Sequence, residues 1–338
     1  MSEPFVINGV QIGPGETRDI DIFVAKQYDF TDLDMPVRVI RGREDGPRLF
    51  VCAAIHGDEV IGVEIIRRLI SHKYLRKLKG TLIAVPIVNV FGFNNLTRYL
   101  PDRRDLNRSF PGSPNGSLAA RLAHIFVEEI MGNATHGIDI HTGSRHRTNL
   151  PQVRACLQDK YITALAKEFD VPVILDADII DGSLREVSVK HNVPLLVFEA
   201  GEALRYDEVA IRSGLSGILA VMRRLEMIPP VTAKTKRVDP IIAKDRYWIR
   251  ADQSGILIIK KRLGSIVNEG DVLGRISDPL GNHNIEIRAE RSGLIIGYSQ
   301  LPLVNRGDAI FHIATFAKQS SVEKSLTDFD DKFDYEER

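Results

Sequence analysis

The chain has 338 residues, with 45 Lys and Arg balanced against 45 Asp and Glu, 43% hydrophobic residues and two cysteines. That length suggests about two domains, each large enough for its own core. Zero formal charge argues against nucleic acid or an anionic membrane as partner, since both require a concentrated excess of Lys and Arg, and Cys52 and Cys156 cannot form a disulfide framework.

The N-terminus lacks the basic start and apolar stretch of a secretion signal. The longest uncharged stretch, residues 81–97, contains Pro86, Asn89, Gly92, Asn94 and Asn95, which a spanning helix of about 20 apolar residues would not tolerate. A soluble, cytoplasmic protein is expected.

The first forty residues read as short strands and turns, punctuated by Gly9, Gly13, Pro14 and Gly15, with residues 37–40 as one strand. After the turn Asp45-Gly-Pro47, apolar runs alternate with helical patterns. Residues 49–55 form a continuous run, and residues 60–70 carry Ile61, Ile65, Ile66, Leu69 and Ile70 at helical spacing. Residues 82–90 form another run and 94–115 a long polar loop. Residues 118–130 are helical, 137–140 and 195–198 are short apolar runs, and 208–225 are helical. This alternation predicts an α/β fold with a mixed, largely parallel sheet and helices on both faces.

The pattern breaks at Pro229-Pro230, and residues 231–239 read as a linker. Beyond it lies an internal repeat. Ser254-Gly-Ile-Leu-Ile-Ile259 is echoed by Ser292-Gly-Leu-Ile-Ile-Gly297, and Val267-Asn-Glu-Gly-Asp-Val-Leu273 by Val304-Asn-Arg-Gly-Asp-Ala-Ile310. Strand, turn and strand recur in the same order, which predicts a small all-β barrel with approximate twofold symmetry. From residue 317 onward the composition is rich in Ser, Asp, Glu and Lys and is expected to form a mobile tail. The expected division is residues 1–235, 240–316 and a tail at 317–338.

The chemistry is suggested by where polar residues fall relative to the strands. His56 ends the run 49–55, and Glu59 follows three residues later where a helix begins. His141 ends the run 137–140, and Glu199 ends the run 195–198. Ligands bind beyond the carboxyl ends of strands in open α/β sheets, so two imidazoles and two carboxylates reach one edge. Two imidazoles and a carboxylate form a common catalytic zinc set that leaves a position open for water. Asp139, two residues before His141, could orient an imidazole from behind.

Four segments, Ala54-Ile-His-Gly-Asp-Glu59, Asp105-Leu-Asn-Arg-Ser-Phe-Pro-Gly112, Asp139-Ile-His141 and Phe198-Glu-Ala-Gly201, occur in the order found in the succinylglutamate desuccinylase/aspartoacylase family, which the chain resembles. The resemblance implies a zinc carboxypeptidase-like fold, with His56, Glu59 and His141 as ligands of one zinc ion per chain. It makes Glu199 the catalytic carboxylate and Asn107 and Arg108 the clamp for a substrate carboxylate. Arg98 matches an arginine that could polarise the scissile carbonyl, with Arg103 and Arg104 as neighbouring cations of the same loop. Arg185 resembles one that meets a carboxylate on the acyl group. Tyr298 is a nearby candidate for the tyrosine that the aspartoacylase branch supplies from its C-terminal domain. Residues 247–314 similarly resemble a biotinyl/lipoyl-type barrel-sandwich. The hairpin Asp278-Pro-Leu-Gly-Asn-His-Asn284 has no lysine to carry a prosthetic group, so this domain is expected to be unmodified.

The expected activity is zinc-dependent amide hydrolysis in a small, anionic N-acyl amino acid or N-acyl amine, with Glu199 as the base acting on water. The alternatives are a metallocarboxypeptidase acting on peptides, which needs the same metal set and clamp, and a non-catalytic module binding metal or metabolite. A homo-oligomer is compatible with the sequence, which does not set the number of subunits.

Overall fold

The computed structural model describes residues 5–231, 237–243, 245–316 and 319–333. The N-terminal segment makes two antiparallel hairpins, β1 (Phe5–Ile7) with β2 (Val10–Ile12) and β3 (Thr17–Lys26) with β4 (Asp32–Arg41). In β4 every second residue is buried, the signature of a strand with one face on a core. Next come β5 (Glu44–Ala53), α1 (Ile61–Ile70), β6 (Lys79–Val85), α2 (Val90–Asn94), α3 (Leu118–Glu129), β7 (His136–Gly143) and β8 (Arg147–Ala155). They are followed by α4 (Lys160–Glu168), β9 (Val173–Asp176), α5 (Leu184–Lys190), β10 (Leu195–Glu202) and α6 (Glu208–Arg224).

Four adjacent strands, β6, β5, β7 and β10, run parallel. They read as apolar runs because both faces are covered. One face packs on α1, α4 and α6 through residues such as Ile65, Leu165 and Ile218. The other packs on α3 and α5 through Leu122, Phe126 and Val187. The expectation of a largely parallel sheet is corrected, because antiparallel strands flank this centre. β4 and β3 lie on one side and β8 on the other.

The C-terminal region adds β11 (Ile241–Ala243), β12 (Asp245–Arg250), β13 (Gly255–Ile259), β14 (Ile266–Val267), β15 (Val272–Ser277), β16 (Asn284–Arg288), β17 (Gly293–Ser299), β18 (Leu303–Val304), β19 (Ala309–Thr315) and α7 (Gln319–Phe333). The repeat is reflected in reciprocal pairing. β14 of the first half pairs with β17 of the second, Val267 opposite Gly293, and β18 of the second pairs with β13 of the first, Val304 opposite Gly255. These are equivalent positions of the repeat. Leu257, Leu273 and Ile276 from one half share a core with Ile295, Ile310 and Phe311 from the other.

The halves are not a detached unit. β17 pairs antiparallel with β8, so the order β12-β19-β17-β8-β10-β7-β5-β6-β4-β3 forms one continuous mixed sheet. No helix among the described residues is long and apolar enough to cross a membrane. The linker read at 231–239 lies mostly outside the described residues, as do 317–318 and 334–338 of the expected tail.

The tail itself is corrected. Residues 319–333 form α7, with Val322, Phe329 and Phe333 buried. Their spacing of seven and four residues places them on one helical stripe, a periodicity that bulk composition conceals. Val322 packs with Val173 and Leu294, while Phe329 and Phe333 pack with Val238. Phe329→Ala should therefore cost about 3 kcal/mol, read as a lower urea midpoint. A midpoint equal to that of the parent protein would mean that the helix is not docked.

Candidate active site

β5 delivers the first two residues of the site. Ala54 takes φ 52°, a conformation that side chains seldom adopt, and turns the chain sharply at the strand end. The amide of Glu59 then donates to the carbonyl of His56 (3.0 Å), closing a turn that sets both side chains together before α1 begins. Gly57 is required in this turn, because a Cβ there would lie 2.0 Å from the backbone carbon of Gly92 in α2. His141 and Glu199 stand at directly paired positions on the neighbouring parallel strands β7 and β10.

His56, Glu59 and His141 are each nearly inaccessible, and one donor atom from each lies within 4.8 Å of the others. Glu59 bridges the imidazoles, with Oε1 2.8 Å from His56 Nδ1 and Oε2 2.8 Å from His141 Nδ1. The two Nδ1 atoms are 3.2 Å apart. Behind them, His56 Nε2 contacts Asp105 Oδ1 (3.2 Å) and His141 Nε2 contacts Asp139 Oδ2 (2.7 Å). Asp139 thus backs His141 as its spacing suggested, and the Cys52 thiol donates to its other oxygen (3.4 Å).

Burial opposes the charge on both imidazoles, yet the carboxylates outweigh it. Glu59 and Asp105 raise His56, while Asp139 and Glu59 raise His141 well above the ordinary histidine value. Burial likewise opposes the charges of Glu59 and Asp105. For Glu59 the two imidazoles hold the pKa far below normal, and for Asp105 His56 and Arg98 do so. In direct contact here, three carboxylates face one guanidinium, Arg98, which donates to Glu59 (3.3 Å) and Asp105 (3.0 Å). The remaining two negative charges match either two imidazolium protons or one divalent cation. Converging nitrogen and oxygen donors with that balance fit a zinc-type ion.

Glu199 is held from β8. Asn149 Nδ2 (2.9 Å) and Arg154 Nη2 (2.7 Å) both engage Oε2, leaving Oε1 to accept a proton. A bulge in β8 makes this possible. Two steps along β10, from Glu199 to Gly201, match three along β8, from Gln152 to Asn149. The extra residue brings Asn149 and Arg147 to the same face as Arg154. Next door, a Cβ on Gly297 would lie 2.7 Å from Asn149 Oδ1, so a side chain on β17 there would push Asn149 aside.

These groups line a cavity of about 220 Å3 that also includes Arg98, Asn107, Arg108, Arg185 and Trp248. Asn107 accepts from the amide of Leu184 through Oδ1 (2.9 Å), which fixes its side chain and leaves its NH2 as donor. Arg185 donates to the carbonyl of Ala177 (3.1 Å). Of Arg98, Arg103 and Arg104, Arg98 lines the cavity. Arg104 pairs instead with Asp102, and Arg103 is not among the lining residues.

From the C-terminal strands it is Trp248, not Tyr298, that lines the cavity. Trp248 stacks on His312 at 4.3 Å, and Arg147 lies over its ring. The sequence reading missed Trp248, Asn149, Arg154 and the contacts of Asp105. A readable clue in β8 is that its polar residues change parity, from 147 and 149 to 152 and 154, across Leu150-Pro151.

The fold and site define a mixed α/β protein with a buried His-Glu-His donor set and a glutamate at the carboxyl ends of parallel strands. Residues 45–225 match the model of the succinylglutamate desuccinylase/aspartoacylase catalytic domain, and the chain belongs to that deacylase family. It is 32% identical over 118 residues to N-alpha-acetyl-L-2,4-diaminobutyric acid deacetylase of Halomonas elongata, a match covering 35% of this chain and only about a third (34%) of that protein's length. Its fold is similar to the product-bound ectoine utilization protein EutE (DoeB) from Ruegeria pomeroyi, with a TM-score of 0.81 and 23% identity over 93% of this chain and 100% of that one. A succinylglutamate desuccinylase/aspartoacylase structure from Rhodobacter sphaeroides gives a TM-score of 0.79 and 22% identity over 89% and 96% of the two chains.

Raised imidazole values mean that a metal ion entering this donor set would displace protons. Titrating zinc into metal-free protein near pH 7 should release protons, seen as buffer-dependent heat in calorimetry; heats independent of the buffer would refute the raised imidazole values. Without metal, stabilisation from these raised imidazoles is full below pH about 6.5 and fades as pH climbs through the folded values. Gly297→Ala should push Asn149 away from Glu199 and, if Glu199 serves the deacylase reaction of the family, lower that activity about tenfold without changing the melting temperature by more than a few degrees.

Proposed function

We propose that the protein hydrolyses the amide of a small N-acyl amino acid or N-acyl amine, with zinc held by His56, Glu59 and His141. The observation that carries this reading is Glu199. It stands in register with His141 on the adjacent strand, held by two donors on one oxygen with the other oxygen available. A glutamate so placed is not needed to hold a metal, which favours a catalyst over a binding module.

Held by His56, Glu59 and His141, a zinc ion would supply Lewis-acid polarisation and make water a better nucleophile near neutral pH. Glu199 Oε1 takes the proton of the attacking water, the carbon–oxygen bond forms, and the same carboxyl returns the proton to the amine as the carbon–nitrogen bond breaks. Arg108 offers its planar fork to the substrate carboxylate and Asn107 an adjacent amide donor, which fixes the amide beside Glu199. Arg98 already spends N–H groups on Glu59 and Asp105, and its remaining donors can face the developing oxyanion.

Residues 240–316 are read as an unmodified barrel-sandwich whose β12 closes the cavity with Trp248. A volume of about 220 Å3 suits a small metabolite better than a peptide. Glu199→Gln should lower hydrolysis of acyl-amino acids about a thousandfold while the protein retains about one zinc per chain. Full activity in that variant would remove Glu199 from the reaction, and a protein that refuses zinc would remove the metal.

A further inference from the structure

The catalytic cavity occupies the carboxyl ends of the parallel strands, and a larger concavity lies at the amino ends of β5 and β6. It has a volume of about 1470 Å3 and is formed by the turn between β4 and β5, the entry to β6 and the exit from α6. Leu75, Leu78, Leu225 and Ile228 give it an apolar floor. Close backbone packing fixes that floor, since a Cβ on Gly42 would lie 2.1 Å from the carbonyl oxygen of Leu78. Six cationic side chains line the concavity against three carboxylates. Lys79 pairs with Glu44 (2.6 Å) and Arg41 with Asp45 (3.5 Å). Among the described residues, Arg43, Arg76, Lys77 and Arg223 have no carboxylate partner, and Nε of Arg223 is buried without a hydrogen bond.

The β3–β4 hairpin leads away from this concavity, which Thr17 and Arg41 line, to a tip at residues 27–31. Strands of ten residues put about 30 Å between its two ends. Pairing with β6 stops at Arg38, opposite Ala84, so the outer half of the hairpin extends past its neighbour in the sheet. The tip is both apolar and acidic. Tyr28 is fully exposed, Phe30 is 79% exposed and Phe23 is half exposed. Asp29, Asp32 and Asp34 accompany them, and the one nearby cation, Lys26, is already paired with Asp32. Phe30 takes φ 65°, which a bulky side chain seldom adopts. The amide of Gln27 donates to Thr31 (2.9 Å) and that of Phe30 to Gln27 (3.0 Å), so a fixed backbone presents this ring to the outside. Strain of this kind is retained where a function needs it.

We propose that the hairpin tip of one chain docks into the concavity of a second copy, with Tyr28 and Phe30 on the apolar floor and Asp29 and Asp34 among Arg43, Arg76 and Lys77. A protrusion meets a recess, aromatic rings meet leucine and isoleucine, and an acidic surface meets an excess of cations. The recess is larger than the roughly 300–1,000 Å3 of a small-ligand pocket, as a protein protrusion requires. The two surfaces stand at opposite ends of one hairpin and cannot meet within a chain. The contact is therefore head to tail, and it generates a closed ring or an open chain of copies. None of these residues lines the catalytic cavity.

Sedimentation equilibrium of the full chain at low and high salt tests this. The wild type should show masses above that of one chain, and they should fall as salt rises, because the charges at the contact are exposed. Phe30→Gly suits the left-handed backbone, so it should weaken association at least tenfold while the circular dichroism spectrum stays that of the wild type. Arg76→Glu should weaken association from the other side by a similar factor. Mixed together, the two variants share one intact tip and one intact concavity, and should form a complex of two chains and nothing larger. A wild type that is monomeric throughout overturns the proposal. An assembly that neither variant weakens, or that mixing the two fails to restore, uses a different interface and overturns it as well.

Discussion

The buried carboxylate of Glu59 is the contact on which the rest of the site depends. Removing a carboxylate from water costs several kcal/mol unless its oxygens are fully occupied. Here Oε1 meets His56 and Arg98, and Oε2 meets His141 and the amide of Thr142. Those four partners come from the β5–α1 turn, the long polar loop and β7. The carboxylate therefore ties three separate parts of the chain to one point. The left-handed Ala54 and the bare backbone of Gly57 are local costs of bringing Glu59 there. Cys52 serves the same arrangement from below: burial pushes its thiol up, so it stays a donor to Asp139.

A second dependence runs across the sheet. From β7 through β10, β8, β17 and β19 to β12, one face presents His141, Glu199, Arg154, Gly297, His312 and Trp248 in turn. The repeat that first suggested an appended barrel provides β17 and β19, and β12 immediately precedes it. Because β17 is hydrogen-bonded to β8, the C-terminal halves are set by backbone pairing rather than by side-chain docking alone, and Trp248 is held at a fixed distance from Glu199. A loop bearing the same tryptophan would not have that precision.

Legibility in the sequence followed the range of the interactions involved. The central parallel strands and α1, α3 and α6 announce themselves because burial on both faces, or on one stripe, leaves an unbroken apolar pattern. His56, His141 and Glu199 could be singled out because each ends such a run, and Glu59 because it stands where the following helix begins. β8 escaped notice, since its Pro151 and its parity change at the bulge erase strand alternation, and Asn149 and Arg154 went with it. Trp248 gave no local signal at all. Its relevance comes from the pairing of β17 with β8, which joins residues about 150 positions apart. The C-terminal helix shows the reverse case: its stripe of Val322, Phe329 and Phe333 was legible as periodicity but hidden by composition.

Charge shows how global and local properties separate in this molecule. The whole chain is neutral, yet its cavity is polarised along one direction. At the His-Glu-His end, carboxylates exceed guanidiniums, and the surplus is the amount that protons or a divalent cation would balance. On the far side of Glu199, guanidiniums exceed carboxylates. Glu199 lies between these regions, in register with His141 and in contact with Arg154. The balance of the full sequence carries no trace of that separation, because each surplus is a few charges deep and the two have opposite sign.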